Sequence, residues 1–369
     1  MYKIKTDDYA RLLEETYESK APMMVYGGPG IGKTEIPLQV FRKTAEKLKR
    51  KFVQWTDLSL AEKKKLIANP DGWFVFCDQR IGQMDSTDLR GIPNMASPDF
   101  LETMPLSWIV FFTQPDAHGV IFFDEINLAA PVVAGQAYQI INERTVADRR
   151  LSKHVHIIAA GNRATDRAFT FEMPFPLRDR FAEVELQPDV KSWTVWAAGN
   201  VNPHFVAFVN WKESYLYKIV ESGADKSSTP RGIVRASRLV GDKDILSADV
   251  HMLVSIAAGE AFATEFQAYT KHFASLDWTH IYNHPESVKG WPVDKTFAVV
   301  GGMAEHFQKD SSPEMLKKII AVIPHMKADF SVICIRMLRD FGQDKFLNAV
   351  KKVPEFVKIA RDYAKYLMG

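Results

Sequence analysis

The stretch Gly27-Gly28-Pro29-Gly30-Ile31-Gly32-Lys33-Thr34 decides how this chain is read. A glycine, four residues and then Gly-Lys-Thr make the phosphate-loop pattern. The run before it, Met23-Met24-Val25-Tyr26, reads as a buried strand, and the run from Glu35 to Arg50 reads as a helix. Strand, glycine loop and helix are the setting that the pattern requires. A polyphosphate needs several main-chain N–H groups aimed at one place. Glycines let the chain curl tightly enough to supply them, and the following helix offers its unpaired first-turn amides to the anion. In this reading Gly27, Gly28, Pro29, Gly30, Ile31 and Gly32 form the cradle. Lys33 reaches the β- and γ-phosphates, and the Thr34 hydroxyl takes one position on Mg²⁺. The rival three-glycine dinucleotide pattern fails, because its third glycine falls on residue 33, a lysine.

Outward from the loop, two further runs carry chemistry. Val120-Ile121-Phe122-Phe123-Asp124-Glu125 puts two carboxylates at the end of four apolar residues. Ligands of parallel sheets bind at the carboxyl ends of the strands, so Asp124 is placed beside the loop to hold Mg²⁺. Glu125 is placed to accept a proton from an attacking water. Val155 to Asn162 is a similar strand tipped by an amide, and Asn162 is the candidate for positioning water or reading the γ-phosphate. His154 and His156 alternate on that strand with no partner at metal-ligand spacing and read as surface or core histidines. Phe52–Trp55, Trp73–Cys77 and Ala182–Leu186 are further strand candidates, and residues 7–19 and 58–68 are helical candidates. The stretch from Asp78 to Pro105 is irregular, and long loops of this kind are often functional.

Composition bounds the rest. The chain has 369 residues, 46% hydrophobic and 25% charged, with a net charge of +2. Those values suit a globular protein of two or three domains and give no global electrostatic case for a nucleic-acid or membrane partner. The basic run at 42–51 reads as the solvated face of a helix. Cys77 and Cys334 lie far apart and form no zinc or redox pattern. With neither a signal-peptide run nor an eighteen-residue apolar stretch, a reducing, cytoplasmic setting is expected. From Gln187 onward the texture turns helical, with candidates at 190–198, 203–211, 231–239, 247–269, 296–309, 313–323, 330–340 and 354–368. Thr229-Pro230-Arg231 has the makings of a helix start.

Together these motifs resemble the AAA+ ATPases, and within them the MoxR-like group that includes the CbbQ, NorQ and cobalt-chelatase-subunit ATPases. Gly27–Thr34 matches the Walker A motif, Val120–Glu125 Walker B, Asn162 sensor 1, Arg180 the arginine finger, and Thr229-Pro230-Arg231 sensor 2. Glu143-Arg144-Thr145-Val146 is similar to the segment that precedes sensor 1 in the group. The resemblance covers about residues 10–270. It implies an α/β fold: an AAA+ core over 1–188 with a five-stranded parallel sheet between helices, a helical lid over 189–285, and a helical extension over 286–369 that matches nothing nameable. It implies ATP and Mg²⁺ as ligands and a ring, usually of six subunits, with ATP between neighbours. Arg180, or Arg178 in its stead, would serve the neighbour's γ-phosphate, and Arg231 would sense ATP from the lid. It further implies a client or adaptor protein, often with a von Willebrand A-type domain, faced by the segment Arg80–Met95. A nucleotide-driven nucleic-acid motor or McrB-like restriction subunit is the other reading, supported only by the run from Gly161 to Arg167 and the basic helices at 42–51 and 63–65.

Overall fold

Two compact units make up the chain, Met1–Gln187 and Pro188–Gly369. The structure is a computed structural model, and it describes residues 1–94, 102–163, 173, 175–220 and 226–363. In the first unit the apolar runs become strands: β1 (Tyr2–Ile4), β2 (Met23–Tyr26), β3 (Lys51–Gln54), β4 (Trp73–Arg80), β5 (Ile92–Asn94), β6 (Glu102–Met104), β7 (His118–Asp124), β8 (Thr145–Val146), β9 (Arg149–Arg150), β10 (Val155–Gly161) and β11 (Ala182–Leu186). Seven of them form one sheet in the order β1-β11-β2-β10-β7-β4-β3. All its pairings are parallel. The five strands implied by the resemblance are therefore seven among the described residues. The short β1 extends one edge by pairing with β11, and β3 extends the other. Strands β5 and β6, like β8 and β9, form small antiparallel hairpins outside this sheet.

A parallel sheet buries both faces, which is why its strands read as unbroken apolar runs. On one face helices α1 (Thr6–Ser19) and α2 (Glu35–Lys47) set Tyr17 and Phe41 against Phe74 of β4, with ring centroids 5.9 and 6.2 Å away. His156 lies under the same layer, fully buried, 3.3 Å from the Thr16 hydroxyl. Burial pushes its pKa down to about 3, so it is a neutral core residue. On the opposite face α3 (Leu60–Ala68), α4 (Ser86–Arg90), α5 (Ser107–Phe112) and α6 (Pro131–Glu143) cover Val75, Cys77, Ile121, Phe123, Ile157 and Ala159. The short α7 (Phe175–Arg178) precedes β11.

Parts of the irregular stretch 78–105 are regular. Strand β4 runs on to Arg80, held by its register with β7, where Asp78 lies opposite Phe122 and Arg80 opposite Asp124. Asp85 then caps α4, accepting from the N–H groups of Thr87 and Asp88. Leu89 is buried in the core, at 1% exposure, so it is no surface residue for a client. Met95 lies outside the described residues.

The second unit is helical: α8 (Val190–Ala197), α9 (Pro203–Trp211), α10 (Pro230–Val240), α11 (Val250–Ala258), α12 (Glu260–Ala274), α13 (Trp278–Asn283), α14 (Val293–Lys309), α15 (Pro313–Val322), α16 (Ala328–Val350) and α17 (Glu355–Asp362). The single helix expected over 247–269 is two, parted at Gly259, whose φ of 95° needs a glycine. Thr229 does cap α10, its hydroxyl accepting from the Gly232 N–H, with Pro230 in the first turn. One hydrophobic cluster runs through the unit from Trp193 to Phe356. Within it His204 is buried, 2.9 Å from Glu305 and 3.1 Å from the Tyr269 hydroxyl.

Candidate nucleotide site

The phosphate loop leaves β2 in the interior of the sheet, between β10 and β11. Its base is tied down by the Gly27 N–H, which donates to the Gly161 carbonyl at 3.2 Å. A side chain on Gly27 would put its Cβ 2.6 Å from Ile31 Cδ1 and 3.0 Å from the Leu186 carbonyl oxygen, so a larger residue would have to displace the Ile31 side chain and crowd the main chain of β11. Gly30 and Gly32 take φ values of 76° and 99°, which curl the loop before α2 starts. Pro29 is exposed and Ile31 is buried beneath the loop.

The lysine and threonine of the pattern converge with residues from two other strands. Lys33 Nζ donates to the carbonyls of Gly27 and Gly28 at 2.7 and 3.0 Å and to Asn162 Oδ1 at 3.0 Å. Thr34 Oγ1 lies 3.4 Å from Asp124 Oδ2. Asp124 ends β7, and its other carboxylate oxygen accepts from the Glu125 N–H at 2.9 Å. Glu125 leaves the strand with φ 54°, a left-handed turn that aims the chain away from the sheet. A loop built to bind phosphate, a hydroxyl beside a carboxylate and an ammonium held on an amide thus meet at the carboxyl ends of the interior strands β2, β10 and β7. Thr34 and Asp124 supply hard oxygen donors side by side, the set that fits Mg²⁺.

Three residues join this group without having been singled out in the sequence. Tyr9 of α1 is fully buried and donates its hydroxyl to the Lys33 carbonyl at 3.3 Å, propping the loop from below. Asn127 lies just past Glu125, in the turn Ile126–Leu128, and bonds to the main chain of Asn162 with both ends of its carboxamide. Asp78 sits on β4 on the same face as Asp124, because parallel-register partners point the same way and Phe122 is two residues before Asp124. Burial, then the charge of Asp124, pushes the Asp78 carboxyl up to about 6, with Glu125 adding and Arg80 opposing. Its Oδ1 is buried without a hydrogen-bond partner. One cue was legible for Asp78: like Asp124, it follows an unbroken apolar run.

The candidate arginines lie on other elements. Arg178 makes a two-pronged ion pair with Glu183, at 3.1 and 2.8 Å, and Glu183 also accepts from the Tyr26 hydroxyl at 3.3 Å. Arg180 is exposed two residues on. Arg231 is exposed in the first turn of α10 in the second unit.

The parallel sheet with its strand, phosphate loop and helix at β2 defines an α/β fold of the phosphate-loop class. No family model matches the chain, and no curated protein matches it. Among solved structures it is similar to a mutant form of RuvB from Thermotoga maritima, at 12% identity over 73% of this chain and 62% of that one, TM-score 0.27. It is similar to NtrX from Brucella abortus in complex with ATP, at 11% identity over 81% and 63%, TM-score 0.35. A third is the ORC2 protein of Aeropyrum pernix, in ADPNP and ADP complexes, at 13% identity over 80% and 74%, TM-score 0.35. The chain spans less than two thirds of the length of the first two.

Among the described residues no helix is long and apolar enough to cross a membrane.

Proposed function

We propose that the chain is a Mg²⁺-dependent ATP hydrolase of the AAA+ type, working in the manner of the MoxR-like group as a ring-shaped remodeller of a partner protein. The observation that carries the hydrolase reading is the convergence of Lys33, Thr34, Asp124 and Asn162 within hydrogen-bonding reach at the carboxyl ends of adjacent strands. The glycine loop binds the polyphosphate through main-chain N–H groups, and Lys33 turns from the Gly27 and Gly28 carbonyls to phosphate oxygens. Thr34 and Asp124 hold Mg²⁺, which when bound neutralises charge on the phosphates. Glu125 accepts the proton of the attacking water, and Asn162 orients that water. Arg180 of one subunit, with Arg178 the second candidate, stabilises charge on the phosphate of the next. Arg231 is the sensor 2 candidate that the resemblance implies. The fold-level part of this reading draws on the motif resemblance over residues 10–270. The six-membered ring and a client with a von Willebrand A-type domain rest on that resemblance, and the cytoplasmic setting on the cysteine usage and apolar patterning of the sequence.

The test is Glu125→Gln. It should bind ATP within about threefold of the wild type yet turn over about 10²–10⁴ times more slowly, the range for losing a general base. Wild-type turnover would remove Glu125 from that role. Sedimentation of the same variant with Mg-ATP should give a ring, and a monomer under saturating nucleotide would sink the ring. Tagged and locked with ATP, it should retain its client in an ATP-dependent and not an ADP-dependent way.

A further inference from the structure

The turn after Glu125 holds a side chain whose two hydrogen bonds go to one residue. Asn127 Nδ2 donates to the Asn162 carbonyl at 2.7 Å, and the Asn162 N–H donates to Asn127 Oδ1 at 3.2 Å. The carboxamide thus pairs with the main chain of Asn162 as a neighbouring strand would, just where β10 ends. Asn127 is buried, at 7% exposure. Its own turn is fixed by the Leu128 N–H on the Glu125 carbonyl at 2.8 Å and by the buried Ile126 and Ala129 on either side. From behind, Gly82 lets Leu128 approach so closely that a Cβ there would lie 2.8 Å from Leu128 Cβ. From in front, a Cβ on Gly161 would lie 2.7 Å from Asn127 Oδ1 and 3.0 Å from its Cγ. Glycine at both places leaves room for the contact.

We propose that Asn127 is a positioning residue for hydrolysis: it locks the main chain of Asn162 to the turn that follows Asp124 and Glu125, and so fixes where the Asn162 side chain meets Lys33. This rests on the hydrolase reading above. Only an amide suits the task, since it presents a donor and an acceptor at once to the C=O and N–H of a single residue. Serine offers one short arm. An ionised carboxylate would set an oxygen against the Asn162 carbonyl. Asn127 itself touches no phosphate-binding group and acts through Asn162, whose Oδ1 is on Lys33 Nζ at 3.0 Å. The three elements that carry the base, the amide and the lysine are thereby held in one register, and small misplacement of such groups is costly.

The decisive variant is Asn127→Asp, which keeps shape and volume. Its turnover relative to wild type should be down about 100-fold near pH 8. It should recover at least tenfold as the pH falls toward about 5.5, because the introduced carboxyl, once protonated, again offers one donor and one acceptor. ATP affinity should stay within about threefold throughout, so the loss falls on kcat. In a double-mutant cycle, Asn127→Ala should add less than about twofold to the loss already caused by Asn162→Ala. Amide exchange at Asn162 should quicken at least tenfold or so in Asn127→Ala. A relative turnover flat with pH, an additive cycle, or unchanged exchange at Asn162 would each overturn the proposal. A wild type with no turnover would overturn the hydrolase reading and the positioning role with it, and is told apart because accelerated exchange at Asn162 would still mark the contact itself.

Discussion

Asp78 illustrates what a single residue gains from its neighbours. Its carboxyl is pushed from about 3.8 up to about 6, first by burial and then by Asp124. A carboxyl with a raised folded pKa favours folding in its neutral form, so its contribution is fully present below the unfolded value and is lost as the pH rises through about 6. At neutral pH the ionised group faces Asp124 and Glu125 and weakens the fold. Asp78→Asn should therefore raise the Tm in metal-free buffer at about pH 8, and the gain should shrink to nothing near pH 4. Scanning calorimetry across that range checks it, and a gain independent of pH would remove the charge argument. Lys33, Thr34, Asp124, Glu125 and Asn162 were legible in the sequence because each belongs to a local pattern, a loop spacing or the tip of an apolar run. Asp78 shows only the apolar run that it follows, and Asn127 and Tyr9 show no local cue. An isolated Asp, Asn or Tyr acquires its place from strand register and helix packing, and neither is written locally.

At the level of elements, most strands and helices were legible, since unbroken apolar runs and 3.6-residue periodicity are strong signals. The exceptions have physical reasons. The three residues of β1 are too few to show a pattern, and they are a strand only because β11 pairs with them. The strand β4 hides its last three residues because Asp78, Gln79 and Arg80 are polar, yet their ladder with β7 continues to Asp124. That pairing depends on Gly119, where a Cβ would lie 2.0 Å from the Val75 carbonyl oxygen. Gly119→Ala should force β7 away from β4 and destabilise the unit by about 1–3 kcal/mol or more, the range for overpacked interiors. Urea unfolding measures it, and an unchanged midpoint would mean that the strands part freely. Leu89→Ala should act on stability too, at about 2–5 kcal/mol for a buried leucine, and so is unsuited to probing a client surface. Ile92 and Met104, cross-strand partners in β5 and β6 at 62% and 56% exposure, are among the apolar side chains that the described part of this region presents to solvent.

On the scale of the whole molecule, the two units draw on different physics. The first is stapled across strands distant in sequence, whereas the second is a helical body around one aromatic-rich core. Most helices of that core were legible, α13 and the break at Gly259 excepted, and their packing was not. No spacing announces that His204, Tyr269 and Glu305 meet. Burial pushes the Glu305 carboxyl up, but its hydrogen bonds and charge contacts with His204 and Lys309 outweigh that and hold it at about 2. With the folded pKa depressed, this stabilisation is present above the unfolded value near 4.5 and is lost as the pH falls through about 2. Acid unfolding followed by tryptophan fluorescence should therefore steepen below about pH 4.5 in the wild type. Glu305→Gln should be less stable at neutral pH and flatter across that window. Equal slopes would sever the link to Glu305.

The position of β2 in the sheet also governs how the protein is made. The strand that carries the phosphate loop is flanked by β10 and β11, which among the described strands of its unit are the last two to be synthesised. A ribosome therefore extrudes the loop early and leaves it without neighbours until nearly the entire unit has emerged. Contacts so distant along the chain are slow to close, and the exposed apolar run Met23–Val25 is a hazard while it waits. The nascent chain thus gains its grip on nucleotide late, when β11 leaves the exit tunnel, and a fragment that stops short of β11 should capture none.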